Sequence, residues 1–204
     1  MRRSVVIEVR RWGPVPMFLA IALAVQKVFV ETRYDVSGHA GEHLSSANVA
    51  FPAFALIAIL LYVTPRARRQ PVAVVTSAMW LVCTVLVFVG NIRVVDALVR
   101  AGMADTPTSQ LVEDAAISSA HSLANGAPWL GVLASLALIG VFWRCRHISG
   151  PVAIGAAILS VIFPPWIMPG AGVLVVTVAR CLAYHRAARA DQGPPIAATR
   201  ATMT

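Results

Sequence analysis

The sequence predicts an all-α fold: a polytopic membrane bundle of about five transmembrane helices with its N-terminus in the cytoplasm. Three observations carry that prediction. Hydrophobic residues make up 58% of the 204 and charged residues only 13%, with a mean hydropathy of +0.73. That is too apolar for a soluble domain and long enough for one compact bundle. Apolar runs recur at the length of about 20 residues that a helix needs to cross a bilayer. The basic residues fall in short clusters between those runs, as they do in cytoplasmic loops. The net charge of +8, from 17 Lys and Arg against 9 Asp and Glu, is therefore read as topology, and nucleic acid is not expected as a partner.

Four runs meet the length criterion: Pro14 to Thr32, Ser46 to Thr64, Pro71 to Gly90 and Ala124 to Trp143. A fifth, Pro151 to Leu182, is interrupted by Phe163-Pro-Pro-Trp-Ile-Met-Pro-Gly170. The break fits either a kink in one long tilted helix or the tip of a re-entrant hairpin of two half-helices. Half-helices of about 13 residues do not each cross a bilayer about 30 Å thick, which favours the single span. Arg186 and Arg189 after the run favour a cytoplasmic C-terminus, and hence the hairpin.

The chain divides into a basic cytoplasmic N-terminus (1–13), a transmembrane helical domain (14–185) and a tail (186–204) rich in Ala, Pro and Thr that is expected to be disordered. Arg2, Arg3, Arg10 and Arg11 precede the first run, but Gln26, Lys27 and Glu31 stand where a cleavage site would need small residues, so a retained signal anchor is expected. The Arg clusters at 2–11, 66–69 and 144–146 put the N-terminus inside and the loops 33–45 and 99–123 outside, in a multi-pass protein of the cell inner (plasma) membrane. Abundant Ala, Val and Arg with almost no Lys suggests a bacterial origin. Cys83, Cys145 and Cys181 form no C-x-x-C pair and read as reduced structural residues. His43 to Asn48 with Pro52, then Pro71-Val-Ala, is faintly echoed by His121 to Asn125 with Pro128, then Pro151-Val-Ala, which raises a duplicated hairpin.

Ionisable and amide groups near a bilayer are costly enough to need a reason, and here they gather at the outer helix ends. The candidate site comprises His39, Glu42 and His43 ahead of the second span, Asn48 inside it, Asn91, Arg93 and Asp96 at the end of the third, and His121 with Asn125 leading into the fourth. Helix capping and pairing, such as Arg93 with Asp96 at i, i+3, is the plainer account of the same residues. His39-Ala-Gly-Glu42-His43 matches the H-x-x-E-H pattern of inverted zinc peptidases, and Glu113 or His121 is a candidate third ligand. Gly38 and Gly41 weaken a helix there, and the large soluble domain of those peptidases is missing. Lys27 and Glu31, four apart, read as an internal ion pair or a proton relay. His147 and His185 sit among arginines as lipid-headgroup contacts. Trp12, Trp129, Trp143 and Trp166 fall near predicted helix ends as interfacial anchors, and Trp80 is expected to pack in mid-span.

Three segments together resemble the anthrone-oxygenase-like family of small membrane proteins with a four-helix core, over roughly Pro14 to Trp143. They are Asn48-Val-Ala-Phe-Pro-Ala-Phe54, Phe88-Val-Gly-Asn91-Ile-Arg-Val-Val-Asp96-Ala-Leu98 and His121-Ser-Leu-Ala-Asn125. Arg93 stands where the family signature has Pro, Asp96 roughly where it has a second Asn, and Pro128 near its usual Arg. The resemblance implies cofactor-free oxidation of an electron-rich polycyclic phenol, in which a base removes an acidic C–H proton and the carbanion reacts with dioxygen. His43 or His121 is the candidate base, since histidine is the side chain whose titration lies near neutral pH. Asn48, Asn91 and Asn125 would then form a polar pocket that stabilises the oxyanion.

Three functions remain open on sequence alone. The first is a membrane protein of this type holding a small hydrophobic molecule, with no cofactor expected and its status as an enzyme undecided. The second is a non-enzymatic accessory or small transport protein. The third is a metal or haem site built from His39, Glu42, His43 and His121. The lipid bilayer is the one partner common to all three, and neither protein partners nor oligomeric state can be read from the sequence.

Overall fold

The structure, a computed structural model, describes residues 14–26, 28, 40–41, 43–44, 50–102, 111–112, 114–115, 126–165 and 167–190. Among these residues the chain is all helical, with six helices and no strand: α1 (Pro14–Gln26), α2 (Ala50–Val63), α3 (Pro71–Arg100), α4 (Ala127–Arg144), α5 (Gly150–Ile162) and α6 (Gly172–Ala190). Proline opens α3, α4 and α5 within the first two positions, where its missing N–H costs nothing and its fixed φ suits the helix. Two of these helices, α3 and α4, are long and apolar enough to cross a membrane, while α1, α2 and α5 are shorter apolar helices.

Helix α3 differs most from its expected length. It spans 30 residues and runs on past Gly90 to Arg100, so Asn91, Arg93 and Asp96 lie on its last turns and not beyond its end. It packs along α4, and α6 sits between α2 and α4. The core between them holds Ile57, Leu60, Trp80, Leu138, Phe142 and Val176, all buried. Trp80 is indeed central packing, completely buried, whereas Trp129 and Trp143 are exposed at the two ends of α4. The two Pro-Val-Ala helices are unlike: α3 has 30 residues and α5 has 13.

The fifth apolar region is where the preferred sequence reading has to be corrected. It is not one kinked helix. Helices α5 and α6 pack against each other, and a Cβ on Gly172 would overlap the Ala156 carbonyl and the Ser160 hydroxyl. The chain therefore doubles back through 163–171. Helix α6 also continues to Ala190, so residues 186–190, expected in a disordered tail, are helical.

The turn of this hairpin is held by polar contacts from three helices. The Trp80 indole N–H donates to the Pro169 carbonyl. Gly172 N–H donates to Ser160 Oγ (3.1 Å), the Ser160 and Ser135 hydroxyls are 2.9 Å apart, and Ser135 donates to the Gly170 carbonyl (3.1 Å). An N–H can only donate and a carbonyl can only accept, so the relay runs from Gly172 through Ser160 and Ser135 to Gly170. The Ala156 carbonyl shares the Ser160 hydrogen at 2.9 Å. Gly170 takes φ +69°, the left-handed conformation that glycine adopts without steric penalty.

The basic segments meet at one end of the bundle. Arg180 of α6 donates from Nε to Thr64 Oγ1 (3.1 Å) and from Nη1 to the His147 carbonyl (2.8 Å), tying together the segments that follow α2 and α4. The Cys145 thiol donates to Gln70 Oε1 at 3.1 Å, and all three cysteines are free thiols. Helix α4 ends in a Schellman turn: His147 N–H bonds the Phe142 carbonyl, Arg146 N–H bonds the Trp143 carbonyl, and the Phe142 and His147 rings meet edge-on. Arg146 occupies the left-handed position at φ +56°, where glycine is usual.

Candidate functional site at the end opposite the arginines

Asn91 lies 20 residues along α3 from Pro71, about 30 Å from the basic end at 1.5 Å per residue. A short helical stretch packs antiparallel along this part of α3. Ala40 is buried against Val94 and Leu98, and Leu44 against Val95, with Phe88 and Ile92 beside it. Apolar residues spaced four apart thus seat one helical face and deliver His43 to Asn91, where His43 Nδ1 lies 3.0 Å from Asn91 Oδ1.

The hydrogen bonds define the chemistry of that pair. Asn91 Nδ2 donates to the Val87 carbonyl at 3.1 Å. That carbonyl can only accept, so the amide nitrogen faces it and the amide oxygen faces His43. His43 Nδ1 must then carry the hydrogen, and in the neutral ring the basic lone pair is on Nε2. The same orientation suits a general base or a metal-ligating imidazole, since both have the second ring nitrogen fixed by a neighbouring acceptor.

An apolar cleft of about 290 Å³ lies between α1 and α2, lined by Phe18, Ile21 and Val25 of α1 and Phe51, Phe54 and Ala58 of α2. Phe51 connects the two features: it lines the cleft and meets Phe88 edge-on, with centroids 5.7 Å apart, one turn of α3 before Asn91. Gln26 follows Val25 at the end of α1. Its Oε1 is buried and has no hydrogen-bond partner among the described residues.

No family model, curated protein or solved structure matches this chain. The site is therefore argued from its own geometry. Of the residues expected there, His43 and Asn91 come together, and Arg93 and Asp96 lie further along the same helix. His39, Glu42, Asn48, His121 and Asn125 lie outside the described residues, as do Lys27, Glu31, Glu113, Trp12, Trp166 and the segments 1–13 and 191–204. The described part of the H-x-x-E-H stretch, at 40, 41 and 43, is helical. Among the described residues no group of three His, Cys, Asp or Glu could hold a metal.

Sequence reasoning missed Arg180 as a tie between loops and the Ser135–Ser160 relay under the hairpin turn. A signal for the relay was present in Gly131-x-x-x-Ser135 and Ala156-x-x-x-Ser160, the small-residue spacing that lets helices approach closely. Gly131 illustrates that closeness, as a Cβ there would meet the Pro169 ring at 2.5 Å and Cys83 Cβ at 3.2 Å.

Proposed function

We propose that this chain is a multi-pass protein of the cell inner membrane, with α1 to α4 crossing and the α5–α6 hairpin entering and leaving on the cytoplasmic, arginine-bearing side. Two kinds of observation support the reading. Large apolar side chains such as Met17, Leu23, Met79, Val82, Leu133 and Ile158 are exposed around the bundle, where water would oppose them and lipid would not. The hairpin turn has its polar groups bonded to Trp80, Ser135 and Ser160, and non-helical backbone is tolerated at membrane depth only when protein satisfies it.

Within that frame the outer end holds a small, flat hydrophobic molecule in the α1–α2 cleft, and His43 acts on it as a base. The observation that carries this reading is the His43–Asn91 hydrogen bond, which orients an imidazole one turn along α3 from Phe88, the ring that meets Phe51 of the cleft. An apolar pocket with few placed polar groups is the usual form of a ligand site. The resemblance to anthrone-oxygenase-like proteins supplies the reaction: Nε2 of His43 removes a benzylic C–H proton and the carbanion adds to dioxygen. The resulting hydroperoxide loses water to leave a ketone, so one CH₂ and one O₂ give one C=O and one H₂O.

The test is dioxygen uptake and quinone formation from a hydroxylated anthrone by the purified protein, beside His43→Ala and with metal content measured on the same sample. Loss of a general base is expected to lower the rate about 10²- to 10⁴-fold with metal-free protein. A stoichiometric metal released by His43→Ala would replace the base reading with a metal site. Equal rates in wild type and variant would end it.

A further inference from the structure

A second, separate groove lies on α4 at the arginine-bearing end, lined by Ala137, Gly140, Val141, Trp143, Arg144 and Arg146, with a volume of about 630 Å³. Ala137, Gly140, Val141 and Arg144 follow the i, i+3, i+4, i+7 spacing of one helix face, so the apolar wall extends about 10 Å along the helix from the Arg144 guanidinium. Nothing fills its middle: a Cβ on Gly140 would meet no atom within 4 Å. Among the described residues neither Arg144 nor Arg146 has a carboxylate partner, and segments 64–71, 144–150 and 180–190 contain no Asp or Glu at all. Trp143, 57% exposed, stands beside them.

From this we infer that the groove is a binding site for one anionic phospholipid of the cytoplasmic leaflet. An acyl chain lies along Ala137, Gly140 and Val141, and the headgroup phosphate sits between Arg144 and Arg146. Three features fit that occupant together: an apolar trough directed into the bilayer, two cations at its mouth with no carboxylate partner among the described residues, and an interfacial tryptophan alongside. A soluble anion would need the arginines and leave the trough empty, and a neutral lipid would leave the arginines unpaired. Arg146 also holds a backbone conformation that glycine adopts at less cost. The inference rests on the membrane reading and not on the ligand or chemistry proposed for the outer end.

Native mass spectrometry of the full chain in detergent, titrated with phosphatidylglycerol or phosphatidylcholine, tests it. Wild type is expected to retain one phosphatidylglycerol, and phosphatidylcholine is expected to bind far more weakly. Arg144→Gln with Arg146→Gln should weaken phosphatidylglycerol about thirtyfold, the combined effect of two surface cations on an anionic headgroup. Gly140→Leu, which fills the trough and leaves both charges in place, should weaken it as well, while Arg186→Gln with Arg189→Gln should have little effect. Arg146→Gly separates structure from binding, because it should raise thermal stability while weakening the lipid. The site is overturned if the Arg144/Arg146 variant binds as wild type does, or if the Arg186/Arg189 variant loses as much. A chain recovered fully soluble without detergent would overturn the membrane reading and the lipid site with it, whereas an embedded chain with unchanged binding would overturn the lipid site alone.

Discussion

The hairpin turn and the region around the α1–α2 cleft are built differently. Around the hairpin turn, backbone and side-chain polar groups find partners across three helices, and Gly131, Gly170 and Gly172 are packed so closely that a methyl group would overlap its neighbours. By contrast an apolar cleft stays open between α1 and α2, and on the last turns of α3 a histidine is oriented by an amide. Close packing with satisfied polar groups contributes stability. An open cleft with placed polar groups gives that up, as binding sites commonly do. The contrast teaches that the hairpin is the structural keystone and the outer end the place to look for chemistry.

Substitutions in the two regions should break or sharpen that contrast. The largest effect is expected from Gly172→Ala, whose methyl would collide with the Ala156 carbonyl. The helices have to separate, at a cost of about 3 kcal/mol, seen as a large fall in Tm in detergent or loss of the monodisperse species. Ser160→Ala comes next, because it leaves the buried Gly172 N–H without its acceptor. A loss of about 1 to 2 kcal/mol is expected, and Trp80→Phe should cost a similar amount by orphaning the Pro169 carbonyl. An effect below about 0.5 kcal/mol for both would deny the turn network its structural role.

A smaller effect should come from acid. His147, in the turn between α4 and α5, has its pKa pushed below the ordinary 6.5, first by burial and then by Arg180 and Arg66. Its Nε2 is buried without a partner among the described residues. The folded protein thus takes up a proton less readily than the unfolded chain. Stability from this group is complete above about pH 6.5 and is lost as pH falls through that value toward the lowered pKa. His147→Phe keeps the edge-on contact with Phe142 and should flatten that part of the Tm–pH curve. The smallest stability change is expected at the open end, where His43→Gln should shift Tm by less than any of these variants while abolishing the chemistry proposed for the site.

Much of the helical layout was legible segment by segment. Apolar run length and Pro at helix starts located most of the helix positions, because both are local properties of the chain. The lengths were less legible: nothing local ends α3 at Gly90, and Val94, Val95 and Leu98 carry it on by packing against Ala40 and Leu44. In the candidate site His43 and Asn91 could be named from their chemical character, but 48 residues separate them. No spacing rule links positions so far apart.

By itself, then, the sequence determined a helical, strongly apolar chain whose arginines cluster between its helices, since helix formation and hydropathy depend on neighbours within a few turns. Only the tertiary structure decided that 163–170 turns back on itself. A run interrupted by prolines can kink or reverse, and the outcome depends on whether distant groups satisfy its backbone. Here Trp80 and Ser135 do so from other helices, and Gly131 and Gly172 give the room for them to reach it.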